Sequence, residues 1–293
     1  MALNIQRDEH TGTDTTGHEW DGLKELNTPL PKWWLYTWLA CIVWALVYFV
    51  FFPSFPYGKG YIHGLLGAST RNDVMADVKG FAAERNAVMS KVAAASFEDI
   101  RKNPELLAAA QTAGRITFAN NCQPCHGAGG AGNPGFPALA AGSWLWGGKL
   151  EDIQQTVTHG IRSGDDDARN SQMPKFGADG LLKPEEIQQV ADYVSTAFFG
   201  LALKDISPVN VAAGKEIFAA NCVSCHGDNG EGNRDVGAPR LASKVHLYGG
   251  TRDLIVRQVT SPHMGVMPNW NARLDTATIK SVAIYVHDLG GGE

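Results

Sequence analysis

The sequence carries little net charge and lacks any run of Lys or Arg residues. Its 293 residues include 25 Lys and Arg against 30 Asp and Glu, which gives a formal net charge of -5. Proteins that bind nucleic acid usually present clusters of basic residues, so nucleic acid is not expected as a partner. The sequence also lacks a phosphate-binding loop and a nucleophile–base pair, and we therefore predict no catalytic residue.

Strand periodicity is also missing, because Gly- and Pro-rich loops separate short helical patterns. Two similar regions of the chain each contain three such patterns, and Phe118 and Phe218 of the first pattern are expected to face the core. The predicted helices are Pro104–Asn121, Leu150–His159 and Pro184–Phe198 in the first region and Val211–Asn221, Arg252–Thr260 and Thr276–Leu289 in the second. These patterns predict an all-α fold.

Cysteine is scarce, and its placement is informative. Four of the five cysteines lie in the strings CQPCH at residues 122–126 and CVSCH at residues 222–226. Such a string is typical of c-type haem attachment, in which both thiols form thioethers and the histidine binds the iron. The sequence thus predicts two covalent haem c groups. Their ligands would be the thiols of Cys122, Cys125, Cys222 and Cys225 and the axial histidines His126 and His226.

A zinc site built from the four paired cysteines is the other chemical interpretation. It explains neither the histidine after each pair nor two methionines at equivalent places in the repeat, Met173 and Met267, each followed by proline. We predict these two as sixth ligands, since Met/His ligation suits electron transfer, and we pair His126 with Met173 and His226 with Met267. Met264 is a rival in the second region, whereas the histidines without a repeat partner are not assigned (His159, His246, His263 and His287).

The two haem-binding regions are copies of one domain. Between residues 113–132 and 213–232, eleven of twenty positions are identical. The first copy holds eight more residues near 162–170, including the acidic run 165–167. That run is expected to be either a solvated loop or an acidic knob that steers docking. We predict haem domains at residues 104–204 and 205–293, preceded by a partly helical connector at 54–103 that acts as a spacer or packs on a partner subunit.

One long apolar run predicts a membrane anchor. Trp33–Phe52 contains no charged residue and would be about 30 Å long as a helix, enough to cross a bilayer. It is too long and too far from the N-terminus for a cleaved signal peptide. We assign residues 33–53 to a single transmembrane helix, in which Cys41 is a packing residue, and residues 1–32 to a cytoplasmic segment. Because covalent haem attachment is expected outside the cytoplasm, we predict that the chain is anchored in a bacterial inner membrane with its haem domains in the periplasm.

The segment before the anchor is the most distinctive part of the chain. Residues 15–34 read TTGHEWDGLKELNTPLPKWW. This segment closely resembles the N-terminal signature of the CcoP/FixP family, the dihaem cytochrome c subunit of cbb3-type cytochrome c oxidases. The resemblance extends over the anchor, the connector and both haem regions. It implies a single N-terminal transmembrane helix followed by two tandem class I-like cytochrome c domains.

The resemblance also implies a function and partners. The chain would accept electrons from a soluble cytochrome c or a quinol-cytochrome c reductase. It would pass them toward a monohaem cytochrome c subunit and the haem–copper catalytic subunit, which reduces oxygen and pumps protons. The chain would thus be a non-catalytic electron-transfer subunit. Two alternatives are a dihaem subunit of a membrane-bound dehydrogenase and a haem-based sensor, which would need an exchangeable sixth ligand.

Overall fold

The structure is a computed structural model that describes residues 4–201 and 206–293. The chain divides into two compact units, Met1–Phe81 and Ala82–Glu293. The predicted helical character is confirmed. The described part of the chain contains helices and two short hairpins, and both hairpins lie in the first unit.

The N-terminal segment contains a small β-hairpin. Strands β1 (Thr15–Trp20) and β2 (Leu23–Leu26) pair antiparallel. They are joined by Asp21 and Gly22, whose φ angles of 50° and 86° are both positive. Asp-Gly is a preferred pair for such two-residue turns because both positions need a left-handed backbone. Part of the signature segment is therefore a folded hairpin, where composition alone indicates a polar tail.

The apolar run forms a single helix, α1 (Lys32–Phe51), with none of its side chains buried. Its mean hydropathy reaches 1.9, so it is long and apolar enough to cross a membrane. Trp34 and Trp38 stack on each other near its start, with ring centroids 6.4 Å apart. A second hairpin, β3 (Pro56–Tyr57) and β4 (Gly60–Tyr61), follows.

The second unit is helical, and helix α2 runs into it from the first. Most observed bounds lie within a residue or two of the prediction, although α8 starts three residues earlier than expected. The helices are α2 (Thr70–Ala94), α3 (Phe97–Lys102), α4 (Pro104–Asn121), α5 (Gln123–His126), α6 (Leu150–His159), α7 (Pro184–Ala197), α8 (Pro208–Asn221), α9 (Val223–His226), α10 (Arg252–Thr260) and α11 (Thr276–His287).

The long helices of the two copies are exchanged. Helix α4 of the first copy packs against α11 of the second, and α7 of the first packs against α8 of the second. The two crossings have the same aromatic contact. The ring centroids of Phe118 and Tyr285 are 5.4 Å apart, and those of Phe218 and Tyr193 are 5.5 Å apart. The predicted domains at residues 104–204 and 205–293 therefore share helix contacts with each other in this structure. The expected boundary at 204/205 itself lies outside the described residues.

Chain connectivity gives a physical reason for the exchange. Helices α7 and α8 follow each other directly, with ten residues between Ala197 and Pro208. Consecutive helices joined by a short connection tend to pack as antiparallel neighbours. Once α7 covers α8, the equivalent face of α4 is left for α11. Two hydrophobic cores result, one around Phe118, Ile153 and Val282 and one around Phe218, Ile255 and Val190.

The end of the connector belongs to the first of these cores. Val92 and Ile100 are fully buried there, and Phe97 is nearly so. Lys280 of α11 donates hydrogen bonds from Nζ to the carbonyls of Ala93 and Ala95, at 2.8 and 2.7 Å. A lysine ammonium at the C-terminus of a helix satisfies carbonyls that lack an intrahelical partner. This half of the connector is thus part of the domain core and not a free spacer.

The close helix crossing predicts a selective effect of one methyl group. A Cβ at Gly114 of α4 would lie 2.2 Å from the carbonyl oxygen of Ser281, whereas a Cβ at Gly80 of α2 would meet nothing within 4 Å. We expect Gly114→Ala to force α4 and α11 apart and to cost about 1–3 kcal/mol of unfolding free energy. Gly80→Ala should instead be neutral or stabilise α2 by about 0.5–1 kcal/mol. Urea unfolding of the detergent-solubilised chain measures both, and equal effects would contradict the crossing.

Candidate functional site

Each haem-binding string forms one helical turn directly after a long helix. In the first, the amides of Cys125 and His126 donate to the Cys122 carbonyl at 3.1 and 2.9 Å. The second repeats this arrangement, with distances of 3.2 and 2.9 Å to the Cys222 carbonyl. One turn of helix brings residues i, i+3 and i+4 to the same face. Cys122 and His126 accordingly line one cavity, and Cys222, Cys225 and His226 line another.

Both histidines are held with one ring nitrogen free. His126 Nδ1 lies 3.1 Å from the carbonyl oxygen of Pro137, and His226 Nδ1 lies 3.1 Å from that of Pro239. A carbonyl can only accept, so Nδ1 carries the proton and Nε2 keeps its lone pair. Burial lowers the pKa of both histidines, and the carbonyl contact opposes this only in part. Neutral imidazole with a free Nε2 is the form that binds a metal.

The cysteines of each string lie in two different environments. Cys122 and Cys222 are half-buried, and Cys125 and Cys225 are exposed. Burial, with a smaller contribution from the neighbouring thiol, raises the pKa of Cys122 and of Cys222 to about 11. All four are free thiols. Each string thus has one half-buried cysteine that lines a cavity and one exposed cysteine.

Two apolar cavities lie next to these strings, and each contains one of the predicted methionines. The first is lined by Phe118, Cys122, His126, Ile153, Val157, Met267, Val282 and Val286, among others. The second is lined by Met173, Val190, Val194, Phe218, Cys222, Cys225, His226, Ile255, Val259 and Met264, among others. Met267 therefore shares a cavity with His126, and Met173 shares one with His226.

This arrangement corrects the pairing of axial residues expected from the repeat. The pairs His126–Met173 and His226–Met267 are wrong, because each methionine lies across the exchanged helices from its own string. Met267 packs against the first hydrophobic core and Met173 against the second. Met264 also lines the second cavity, but it has no equivalent in the first copy. Met173 is the better counterpart to Met267, since both precede proline.

The loop that carries Met267 is tied to the first copy by its backbone. The amide of Ile161 donates to the Met267 carbonyl at 2.9 Å, and the amide of Met267 donates to the Ile161 carbonyl at 3.0 Å. Gly160 has a φ of 76°, and a Cβ there would lie 2.4 Å from the Met267 carbonyl oxygen. Only glycine meets both requirements without strain. The segment directly after α6 thus packs against the Met267 loop and pairs with its backbone.

The three aspartates at residues 165–167, within the extra residues of the first copy, lie in different environments. Asp165 turns inward, with its side chain 14% exposed, and it lies 2.8 Å from His159 Nδ1. Its other carboxylate oxygen accepts from the side-chain amides of Asn271 at 2.8 Å and Asn269 at 3.4 Å. Asp166 and Asp167 are exposed. Asp165 is therefore a structural tie to the residues that follow Met267, which neither expectation for this loop included.

Sequence reasoning also missed two aromatic residues that occupy equivalent positions in the repeat and line the cavities. Trp146 lines the first cavity and lies against Gly237 of the second, where a Cβ would be 2.3 Å from its ring. Tyr248 lines the second cavity, and its hydroxyl accepts from the amide of Gly265 at 3.2 Å in the Met267 loop. Both aromatic residues precede a Gly-Gly pair. Their equivalent position in the repeat is the signal that could have found them.

The residues of each cavity fit a covalently attached haem c. The first cavity is lined by one cysteine, Cys122, and the second by two, Cys222 and Cys225, and each cavity also has an imidazole with Nε2 free and a methionine thioether among apolar walls. Thiols suit thioether formation, and imidazole with thioether is the axial pair of c-type electron carriers. His159, His246, His263 and His287 are not needed for this set. His246 stacks on Phe199 with ring centroids 3.7 Å apart, and His159 is held by Asp165.

The tie made by Asp165 predicts a pH dependence. Hydrogen bonds from His159, then Asn271 and the Asp167 amide, lower the pKa of Asp165 to about 2, below its unfolded value of about 3.9. Its stabilising contribution is therefore present above pH of about 4 and is lost as the pH falls toward 2. We expect Asp165→Asn to lower the unfolding free energy more at pH 7 than at pH 3, measured with urea. The matched control Asp166→Asn should show no such difference, and an equal loss at both pH values would contradict the tie.

The chain matches known families along most of its length. The family described as "N-terminal domain of cytochrome oxidase-cbb3, FixP" matches residues 12–59. "Cytochrome c" matches residues 111–198, and "Cytochrome C oxidase, cbb3-type, subunit III" matches residues 209–286. The two cytochrome c matches fall on the two copies of the repeat, each with its own haem-binding string. They support the prediction of haem-binding cytochrome c domains.

Full-length relatives are also similar to the chain. A cbb3-type cytochrome c oxidase subunit FixP from a Bradyrhizobium species is 48% identical over 293 residues, covering all of both chains. A subunit CcoP from Cereibacter sphaeroides is 49% identical over 294 residues, again covering all of both chains. A CcoP from Azospirillum brasilense is 48% identical, over 98% of this chain and 99% of the relative. The chain therefore belongs to the CcoP/FixP family of cbb3-type cytochrome c oxidase subunits.

Proposed function

We propose that this chain relays single electrons, through two covalently attached haem c groups, to the haem–copper subunit of a cbb3-type oxidase. The donor would be a soluble cytochrome c or a quinol-cytochrome c reductase, and a monohaem cytochrome c subunit would lie next in the path. Two relatives that align with the whole of this chain are named as cbb3-type cytochrome c oxidase subunits. The observation that carries the proposal is the presence of two cavities, each with its own haem-binding string, histidine and methionine.

A bound haem c supplies reversible one-electron chemistry at its iron, and the protein residues adapt that chemistry to electron transfer. Cys122 and Cys125 would attach the first group, and Cys222 and Cys225 the second. The Pro137 and Pro239 carbonyls orient the two histidines so that Nε2 faces the cavity. Met173 and Met267 would each supply a thioether to an iron, which would favour the reduced state and raise the potential. Phe118 and Phe218, each almost fully buried, help to keep water from the cavity walls.

The ligand set argues against an oxygen-reducing site within this chain. A histidine and a methionine at each iron would leave no coordination position open to dioxygen. A haem-based sensor would need such a position, so this alternative is disfavoured. Oxygen reduction and proton pumping are accordingly assigned to the haem–copper partner, and this chain acts as a non-catalytic subunit.

The two cavities share parts of their walls. Leu145 lines both cavities, and Trp146 of the first lies against Gly237 of the second. Both cavities belong to the same compact unit, Ala82–Glu293. This proximity supports direct electron transfer between two haem groups within one chain.

Helix α1 supports an anchored location. It has the length and hydropathy of a membrane span, and it separates the N-terminal hairpin from the haem-binding unit in the sequence. Because haem c is attached outside the cytoplasm, we place the unit after α1 in the bacterial periplasm and the hairpin in the cytoplasm. The hairpin would then be available to partner subunits on the cytoplasmic side of the inner membrane.

The exchanged methionines can be tested one haem at a time. A chain with Cys122→Ser and Cys125→Ser should keep only the haem at Cys222 and Cys225. In that background we expect Met173→Ala to abolish the sulfur-to-iron charge-transfer band and to allow carbon monoxide to bind the reduced iron. Met267→Ala is the matched control and should leave both properties unchanged. The opposite result would restore the pairing within each copy, and a response to neither would refute methionine ligation.

The role in the oxidase is tested in membranes. Deletion of the gene should abolish cytochrome-dependent, high-affinity oxygen uptake, and a tagged copy should restore it and co-purify with a haem–copper subunit. A membrane-bound dehydrogenase subunit is the competing function. It would leave oxygen uptake with an artificial cytochrome donor intact and would co-purify with a substrate-oxidising enzyme instead.

A further inference from the structure

Arg162 occupies the point where the two methionine loops meet. It is the first residue after Ile161, whose amide and carbonyl pair with those of Met267 at 2.9 and 3.0 Å. Its φ of 53° lies in the left-handed region, which is costly for a residue with a side chain. The backbone amide of Arg162 donates to the Arg169 carbonyl at 2.9 Å, which closes the loop of extra residues.

The guanidinium group of Arg162 joins two segments that are far apart in the sequence. Its Nε donates to the carbonyl oxygen of Gly265 at 2.8 Å, and its Nη1 donates to that of Ser171 at 2.9 Å. Gly265 precedes Met267 by two residues, and Ser171 precedes Met173 by two residues. The guanidinium group therefore contacts both loops, and in each loop it binds the carbonyl two residues before the methionine. The fork of an arginine, with donors on several edges, suits such a bridge better than the point charge of a lysine.

Arg162 also lies beside both cavities. Its side chain lines the second cavity, and the adjacent Ile161 lines the first. Hydrogen bonds from a charged donor are stronger than bonds between neutral groups, so the guanidinium group restrains both loops. The repeat contains no equivalent arginine, because Arg162 belongs to the extra residues of the first copy.

We propose that Arg162 is a positioning residue that holds both axial methionines, so that the ligation of the two irons depends on one side chain. This inference rests on the proposed ligation by Met173 and Met267 and deepens it. Loss of the guanidinium should loosen the two loops together. Loss of one methionine should open one iron and leave the other closed.

The left-handed backbone at Arg162 allows a variant that removes the side chain without straining the backbone. Glycine adopts a φ of 53° without strain, so Arg162→Gly removes the bridge while favouring the same backbone. We expect the fraction of open iron–sulfur bonds to rise on the order of tenfold at both haems, as for the loss of a hydrogen bond to a charged group. The measurements are the sulfur-to-iron charge-transfer band of the oxidised chain and carbon monoxide binding to the reduced chain. Each haem is followed in the background that lacks the other pair of cysteines.

Two further variants separate positioning from general stability. Arg162→Lys keeps the charge, but its ammonium group reaches fewer acceptors than a guanidinium group. It should therefore hold at most one of the two methionine loops in place. Arg115→Gln removes an exposed arginine of α4 and should leave both haems unchanged. Haem content and far-ultraviolet circular dichroism establish that each variant is folded. If Arg162→Gly does not fold, a weakened charge-transfer band in folded Arg162→Lys supports the proposal, and an unchanged band overturns it.

The outcomes distinguish this inference from the proposed function. If Met173→Ala and Met267→Ala open their irons but Arg162→Gly leaves both closed, or opens only one, the positioning role is overturned and the ligation stands. If neither methionine variant changes its iron, the ligation fails and the role of Arg162 fails with it. Simultaneous opening of both irons in Arg162→Gly, with Arg115→Gln unchanged, supports the proposal.

Discussion

The close crossing of two helix pairs is the constraint on which the rest of the haem-binding unit depends. Gly114 of α4 and Gly214 of α8 each allow a partner helix to approach so closely that a Cβ would lie within 2.2 Å of a backbone carbonyl. In both crossings the partner helix comes from the other copy of the repeat. Tight packing without voids is costly to alter in protein interiors. The exchange of helices therefore governs which residues meet in each cavity.

The exchange of methionines follows from the exchange of helices. Helix α11 covers α4, and the loop before it brings Met267 to the cavity of His126. Helix α7 covers α8, and the loop before it brings Met173 to the cavity of His226. Asp165 and Arg162 then fasten the Met267 loop across the boundary between the copies, and Tyr248 holds it within the second copy. The repeats that the sequence reveals are thus units of duplication, whereas the folded unit contains both.

The sequence predicts the helices well, including the long apolar helix α1, because these depend on local patterns. Phe118 and Phe218 are buried as expected, and so are the apolar faces of α7 and α11, including Val190 and Val282. The choice of partner between copies could not be predicted from those patterns, since Tyr193 and Tyr285 would suit either glycine equally. The ties made by Asp165 and Arg162 were hidden for another reason. They lie in residues without a repeat partner and act on backbone and amide groups, which leave no signature in the sequence.

The exchange has a consequence for the order in which the unit can be completed during synthesis and export. The cavity beside His126 needs Met267 and the covering helix α11, which are among the last residues to emerge. The cavity beside His226 takes its methionine and helix α7 from upstream, and its lining is complete once Met264 has emerged. Chains generally fold as their segments become available. The cavity beside the second string can thus close first, while the cavity beside the first string stays open until Met267 and α11 have been made.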